Sequence, residues 1–137
     1  MKNSLLNYKI KMITIKKFIP GIAWFFLVLI LICLPGDDLP KAENWMSAIY
    51  FDKWVHAGLF SVLAFLFMMP VCRSKVSVNL KYGYVIKIAM SVCIWGLTTE
   101  FIQRFFIAGR SFDLYDWFAD SFGITLALIA CRILYLR

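Results

Sequence analysis

The sequence predicts an all-α fold: a membrane bundle of four transmembrane helices with both termini cytoplasmic. Three observations predict it. The composition is oily, four apolar runs have membrane length, and the basic residues gather at alternate ends of those runs. Of the 137 residues, 62% are hydrophobic and 18% aromatic, and mean hydropathy is +0.77. A soluble domain is nearer half apolar. The runs cover 18–34, 54–71, 83–106 and 116–135, and about 20 apolar residues cross a bilayer core as a helix.

Taken in order, residues 1–17 form a basic cytoplasmic N-terminal segment with Lys2, Lys9, Lys11, Lys16 and Lys17 and no acid. Residues 18–137 form a single four-helix domain. Pro20 stands near the start of the first run, where a missing backbone N–H costs little. The basic residues before this run resemble those of a signal peptide. No small-x-small cleavage site follows, only Leu34-Pro35-Gly36-Asp37-Asp38, so the run reads as a retained span. The loop 35–51 is rich in turn residues and carries Asp37, Asp38 and Glu43; Trp45, Tyr50 and Trp54 suit a membrane interface. Asp52 opens the second run, with His56 one turn in. Residues 72–82 are a basic link holding Arg73, Lys75 and Lys81. In the third run Lys87 lies near the start, from where it can snorkel to the surface. A short link, IAGRSFDLY, leads to the fourth run, and Arg132 and Arg137 close the chain.

The net charge of +7 would suggest nucleic acid in a soluble protein. Here no basic patch interleaves with exposed aromatics, so no nucleic-acid partner is expected; the anionic inner leaflet is the better match. An N-terminus in the cytoplasm puts Lys2, Lys9, Lys11, Lys16, Lys17, Arg73, Lys75, Lys81, Lys87, Arg132 and Arg137 on that side. Only Lys41, Lys53, Arg104 and Arg110 fall outside, a split that sets the orientation. The acids agree, all of them lying outside. Cys33, Cys72, Cys93 and Cys131 stand singly, without a C-x-x-C pair, and read as small apolar membrane residues.

This topology brings three distant stretches to one depth. Asp52, Lys53 and His56 open the second span, Glu100 and Gln103 close the third, and Asp116 and Asp120 open the fourth. At about 1.5 Å per residue, His56, Glu100 and Asp120 each sit roughly 6 Å below their helix mouths. Asp52 and His56 are four apart and share a face, as do Glu100 and Gln103 at three apart. Gly96 continues the Glu100 face, and Gly123 and Ala127 continue that of Asp116 and Asp120. Those small residues let helices approach closely. A charge facing lipid is far more costly than one facing a neighbouring helix. The expectation is therefore a polar pocket between spans two, three and four, opening to the outer side of the cell membrane and floored by small residues.

The candidate acid–base residues are His56, Asp52, Glu100 and Asp120. His56 is the sole histidine and Asp52 is its expected orienting carboxylate. Lys53, Gln103, Arg110 and Asp116 are candidate ligand-binding residues, since an arginine grips a phosphate or carboxylate through two parallel hydrogen bonds. Each has a plainer role open to it. Glu100 can form an internal ion pair with Arg104, Arg110 or Lys53, Arg110 can pair with Asp113 or Asp116, and Asp113 can cap the fourth helix. His56, Asp52, Glu100 and Asp120 could between them ligate an ion. No tight ligand spacing such as H-E-x-x-H occurs, so no metal is expected. No cofactor motif is present, so none is expected either.

These residues resemble the VanZ-like family of small integral membrane proteins. That family's pattern is Asp-Lys-x-x-His opening one span, Glu-x-x-Gln near the end of the next, then Arg followed by Asp and by Asn or Asp before a Gly. Here it reads Asp52-Lys53-x-x-His56, Glu100-x-x-Gln103, Arg110, Asp116, Asp120 and Gly123, from about residue 52 to 123. Two positions depart: Phe60 stands where tyrosine is common, and Asp120 where asparagine is common. The resemblance implies a shared outer-face polar site and a link to resistance to the glycopeptide teicoplanin. The expected partners are membrane lipid and a lipid-linked envelope intermediate or glycopeptide. The leading expectation is binding or modification of an envelope or lipid headgroup. One alternative is a non-catalytic accessory protein. The other is proton-coupled transport through a homo-oligomer, against which Ile88 to Ile94 and Leu126 to Ala130 offer no relay to the inner side.

Overall fold

A computed structural model describes residues 15–35 and 50–136. All regular structure among them is helical. Helix α1 (Ile19–Ile32) follows a 3-10 turn, Ile15–Phe18; then come α2 (Phe51–Cys72), α3 (Val78–Phe106) and α4 (Leu114–Tyr135). With its leading turn α1 makes an 18-residue apolar span, and the others run 22, 29 and 22 residues, so all four are long and apolar enough to cross a membrane. The chain is a four-helix integral membrane protein. Most of the basic segment 1–17, and Asp37, Asp38, Lys41, Glu43 and Trp45 of the first loop, lie outside the described residues.

Helices α2, α3 and α4 begin before the apolar runs that announce them, while α1 stops short of the end of its run. The third run begins at Gly83, yet α3 begins at Val78 and takes in Asn79 and Lys81. Hydropathy marks what lies in oil, whereas backbone hydrogen bonding continues past it until a residue breaks the ladder. Pro20 sits in the first turn of α1 as expected. Asp113 caps α4: its side chain accepts a hydrogen bond from the Tyr115 backbone N–H at 2.8 Å. Gly109 holds φ +72° in the link between α3 and α4, a left-handed conformation that favours glycine.

Helix α2 is the centre of the bundle and packs against the other three. Helix α1 lies antiparallel to it. Phe18 meets Phe67, and the Trp24 indole N–H donates to the Leu59 carbonyl at 3.0 Å. Helices α3 and α4 are also antiparallel, since the Trp117 indole donates to Cys93 O at 3.1 Å and the Tyr82 hydroxyl to Leu136 O at 3.3 Å. The chain therefore places Ile15, Cys72, Val78 and Tyr135 at one end and Ile32, Phe51, Phe106 and Leu114 at the other. Phe60, Leu63, Ala64, Met68, Val85, Val92, Ile124 and Ala127 fill the interior. Large apolar side chains also cover the outside, among them Phe26, Ile30, Ile86, Met90, Ile94, Phe122 and Ile129. An exterior of this kind is stable in lipid, where it costs nothing to expose it.

Helices α2 and α4 approach most closely at Gly123. A Cβ there would overlap the backbone carbonyl of Ala57. The small-residue stripe Gly123–Ala127 thus does what its spacing suggests. We expect Gly123→Ala to destabilise the detergent-solubilised protein by about 1–3 kcal/mol through overpacking. Gly58 has nothing within 4 Å of its would-be Cβ, so Gly58→Ala should be neutral or stabilising by up to about 1 kcal/mol. Thermal unfolding of the two variants beside the parent checks both.

Candidate functional site

The Phe51, Phe106 and Leu114 end of the bundle holds a buried polar layer. Glu100 and Asp120 are fully buried, Gln103 is 2% exposed and Asp116 8%. Helix α2 supplies Lys53 and His56, α3 supplies Glu100 and Gln103, α4 supplies Asp116 and Asp120, and the link before α4 supplies Asp113. Those carried by helices lie within two turns of a helix end. These polar residues therefore face one another without interrupting the apolar middle of any span.

Two charged centres organise the layer. In the first, the Lys53 ammonium contacts three carboxylates: Asp113 at 2.5 Å, Asp116 Oδ1 at 2.6 Å and Asp52 at 2.9 Å. One cation thereby ties the start of α2 to the start of α4. In the second, His56 Nδ1 stands 3.0 Å from Asp120 Oδ1, joining the same two helices one turn deeper. Gly96 on α3 makes room for that carboxylate; a Cβ there would come within 2.9 Å of Asp120 Oδ2. His56 Nε2 lies 3.7 Å from Asp116 Oδ2. Phe60, where a phenol is absent, is buried beside Gly96 as core.

The partners differ from those that sequence spacing suggests. Asp52 shares a helix face with His56, but its carboxylate bonds Lys53 and is 61% exposed; Asp120 orients the imidazole instead. Four-residue spacing puts two side chains on one face, while rotation of α2 toward α4 gives the imidazole a nearer and drier carboxylate. Glu100 pairs with none of Arg104, Arg110 and Lys53. Its Oε2 accepts the backbone N–H of Asp113 at 2.9 Å, which folds the link back against the layer. Glu100 Oε1 and Asp120 Oδ2 are buried without a hydrogen-bond partner. Arg110, half-buried in the link, makes no ion pair with Asp113, Asp116 or any other described acid, and its Nε is buried and unpartnered. Gln103 lies inside on the Glu100 face, as its spacing requires.

Asp113, which the sequence suggests as a helix cap, is also a member of the layer. The signal was present, since a residue that caps a helix at the mouth of a polar site is held beside that site. His56, Glu100 and Asp116 each bring one ligand-type atom within 4.8 Å of the others, as do Asp52, Asp113 and Asp116. Compared with known protein families, curated proteins and solved structures, the chain matches none.

Asp113 lies outside the spans. Burial alone would raise its pKa, but the hydrogen bonds from Lys53 and the Tyr115 N–H, with the charge of Lys53, outweigh burial and hold it below the usual carboxylate range. A carboxyl depressed in the folded state stabilises above its unfolded value, and that stabilisation is lost as pH falls through the folded value. Asp113→Asn should therefore lower the melting temperature at pH 7. The gap to the parent should close from about pH 5 downward, measured as paired melting curves across that range.

Proposed function

We propose that this chain works as the VanZ-like resemblance implies, its polar layer binding or modifying the headgroup of an envelope lipid at the outer face of the cytoplasmic membrane. The observation that carries this reading is the convergence of His56, Glu100, Asp116 and Asp120 from three helices into one buried layer at one end of the bundle. Charged residues at such depth are costly unless they pair or act. In this reading His56 is the acid–base group, held in orientation by Asp120. A base fixed by a carboxylate is the arrangement that proton transfer needs. Lys53 is already shared by three carboxylates, so Arg110 with its unpartnered Nε is the better grip for a phosphate. The lysines and arginines set the orientation, with the N-terminus in the cytoplasm and the layer outside.

The accessory reading has one observation in its favour: the Lys53 cluster and the Asp113 cap look after their own charges and would stand without a reaction. Transport has none, for beneath the layer the described interior is apolar through Leu63, Ala64 and Met68.

Two variants separate the first two readings. His56→Ala with Glu100→Gln, in protein shown to reach the membrane folded, should give the envelope-lipid profile and teicoplanin sensitivity of cells lacking the protein, because losing an acid–base group costs about 10²–10⁴-fold in rate. Arg110→Ala should weaken headgroup binding by roughly 10- to 100-fold, as expected for a hydrogen bond to a charged group. Persistence of every native phenotype in the double variant, with loss in Arg110→Ala alone, would favour the accessory reading. For orientation, single cysteines at Ser111 and Ser77 in a cysteine-free background should react with an impermeant thiol reagent from outside at 111 and not at 77. The reverse pattern overturns the sidedness.

A further inference from the structure

We infer that the buried polar layer binds a divalent transition-metal cation of the zinc class through His56, Glu100 and Asp116. The argument starts at the imidazole. Asp120 is wholly buried and stands 3.0 Å from His56 Nδ1. A carboxylate there accepts an N–H, so the proton of the neutral ring sits on Nδ1 and the Nε2 lone pair is bare. Nε2 faces Asp116 Oδ2 at 3.7 Å. That is beyond an ordinary hydrogen bond of up to about 3.2 Å. It is close to the spacing of about 3.4 Å between two ligands on a tetrahedral ion with bonds near 2.1 Å. A carboxylate that holds one imidazole nitrogen while the other meets a metal is the usual outer-shell support of a histidine ligand.

Glu100 provides a second, independent observation. It is fully buried, its Oε2 is taken by the Asp113 N–H, and its Oε1 has no partner. Glu100 offers an oxygen within 4.8 Å of the His56 and Asp116 ligand atoms. Among the described residues no lysine or arginine stands at ion-pair distance from it. A buried carboxylate left in that state is expensive, and a dication placed between it and Asp116 offsets both. The other acidic group, Asp52, Asp113 and Asp116, already surrounds the Lys53 ammonium, which leaves no place for a metal there. Lys53 takes Asp116 Oδ1, so Oδ2 remains on the imidazole side.

One imidazole nitrogen with carboxylate oxygens suits zinc or a neighbouring transition ion better than magnesium or calcium. Three protein ligands leave a coordination position for water or for a phosphate oxygen. The inference rests on the headgroup reading of the same layer and changes one role within it: with Nδ1 on Asp120 and Nε2 on the ion, His56 would be a ligand, and a metal-bound water would take the proton-transfer role given to the imidazole above. It also supplies positive charge where the side chains are mostly acidic. Its test needs no lipid, so the two readings can fail separately.

The experiment uses the full chain, purified in detergent without a histidine tag, dialysed against Zn²⁺ and then washed free of loose metal. Plasma mass spectrometry should find one zinc per chain, and Co²⁺ in its place should give visible d–d absorption. His56→Ala, Glu100→Gln and Asp116→Asn should each lose the metal while staying monodisperse on size exclusion. Asp52→Asn should keep it. Asp120→Asn should keep the stoichiometry and weaken affinity by roughly 10- to 100-fold, a change that collapse of the fold would not mimic. Parent protein without bound metal, or His56→Ala and Glu100→Gln holding as much as the parent, overturns the proposal. Loss of metal in Asp52→Asn would assign the ion to the wrong group and overturn it equally. Metal bound as described but without headgroup binding would leave the metal site standing and remove the lipid reading.

Discussion

The bond between His56 and Asp120 is the interaction on which the rest depends. Asp120 has no exposure, and an isolated carboxylate in so dry a place costs several kcal/mol. The imidazole removes much of that cost only if α2 and α4 lie close enough for a 3.0 Å contact. Two glycines make the approach feasible. At Gly123 the two backbones come to van der Waals contact, and at Gly96 the third helix leaves a recess for the carboxylate. A larger residue at either position pushes apart the pair that the buried charge needs. Packing and electrostatics are thus one constraint, met at three positions on three helices.

The charges are distributed along the bundle by the same logic. At the polar end, Lys53 holds the starts of α2 and α4 together through Asp113 and Asp116, and Asp113 also closes the first turn of α4. One turn below stand His56 and Asp120, and beneath them the described interior is apolar or small. Toward the other end the contacts are mostly neutral: aromatic pairing of Phe18 with Phe67 and the Tyr82 hydroxyl on Leu136 O. A bundle built this way is fastened at one face by ion pairs and through the middle by shape. Its buried carboxylates are confined to a layer about one helical turn deep.

Much of this was legible in the sequence, because the bilayer imposes rules that side chains obey locally. An apolar run of about 20 residues must become a helix, as each backbone polar group has to be satisfied within its own segment. Counting residues from the helix mouths puts His56, Glu100 and Asp120 at one depth, since the rise per residue is fixed. Small residues four apart, Gly123 and Ala127, mark a close crossing whatever the neighbour. The cap at Asp113 follows from its place before an apolar run. Helix length was less legible, because α3 continues into polar sequence where hydropathy is silent.

The sequence by itself determined four spans, a polar layer at one level and the faces on which its residues lie, since periodicity and hydropathy are properties of a single helix. Only the tertiary structure decided who meets whom: Asp120 and not Asp52 for His56, a backbone N–H and not a cation for Glu100, three carboxylates for Lys53 and, among the described residues, none for Arg110. Those choices depend on how far each helix is rotated about its own axis and on how the link after Gly109 folds back. Rotation is set by packing between helices, and no spacing within one helix encodes it.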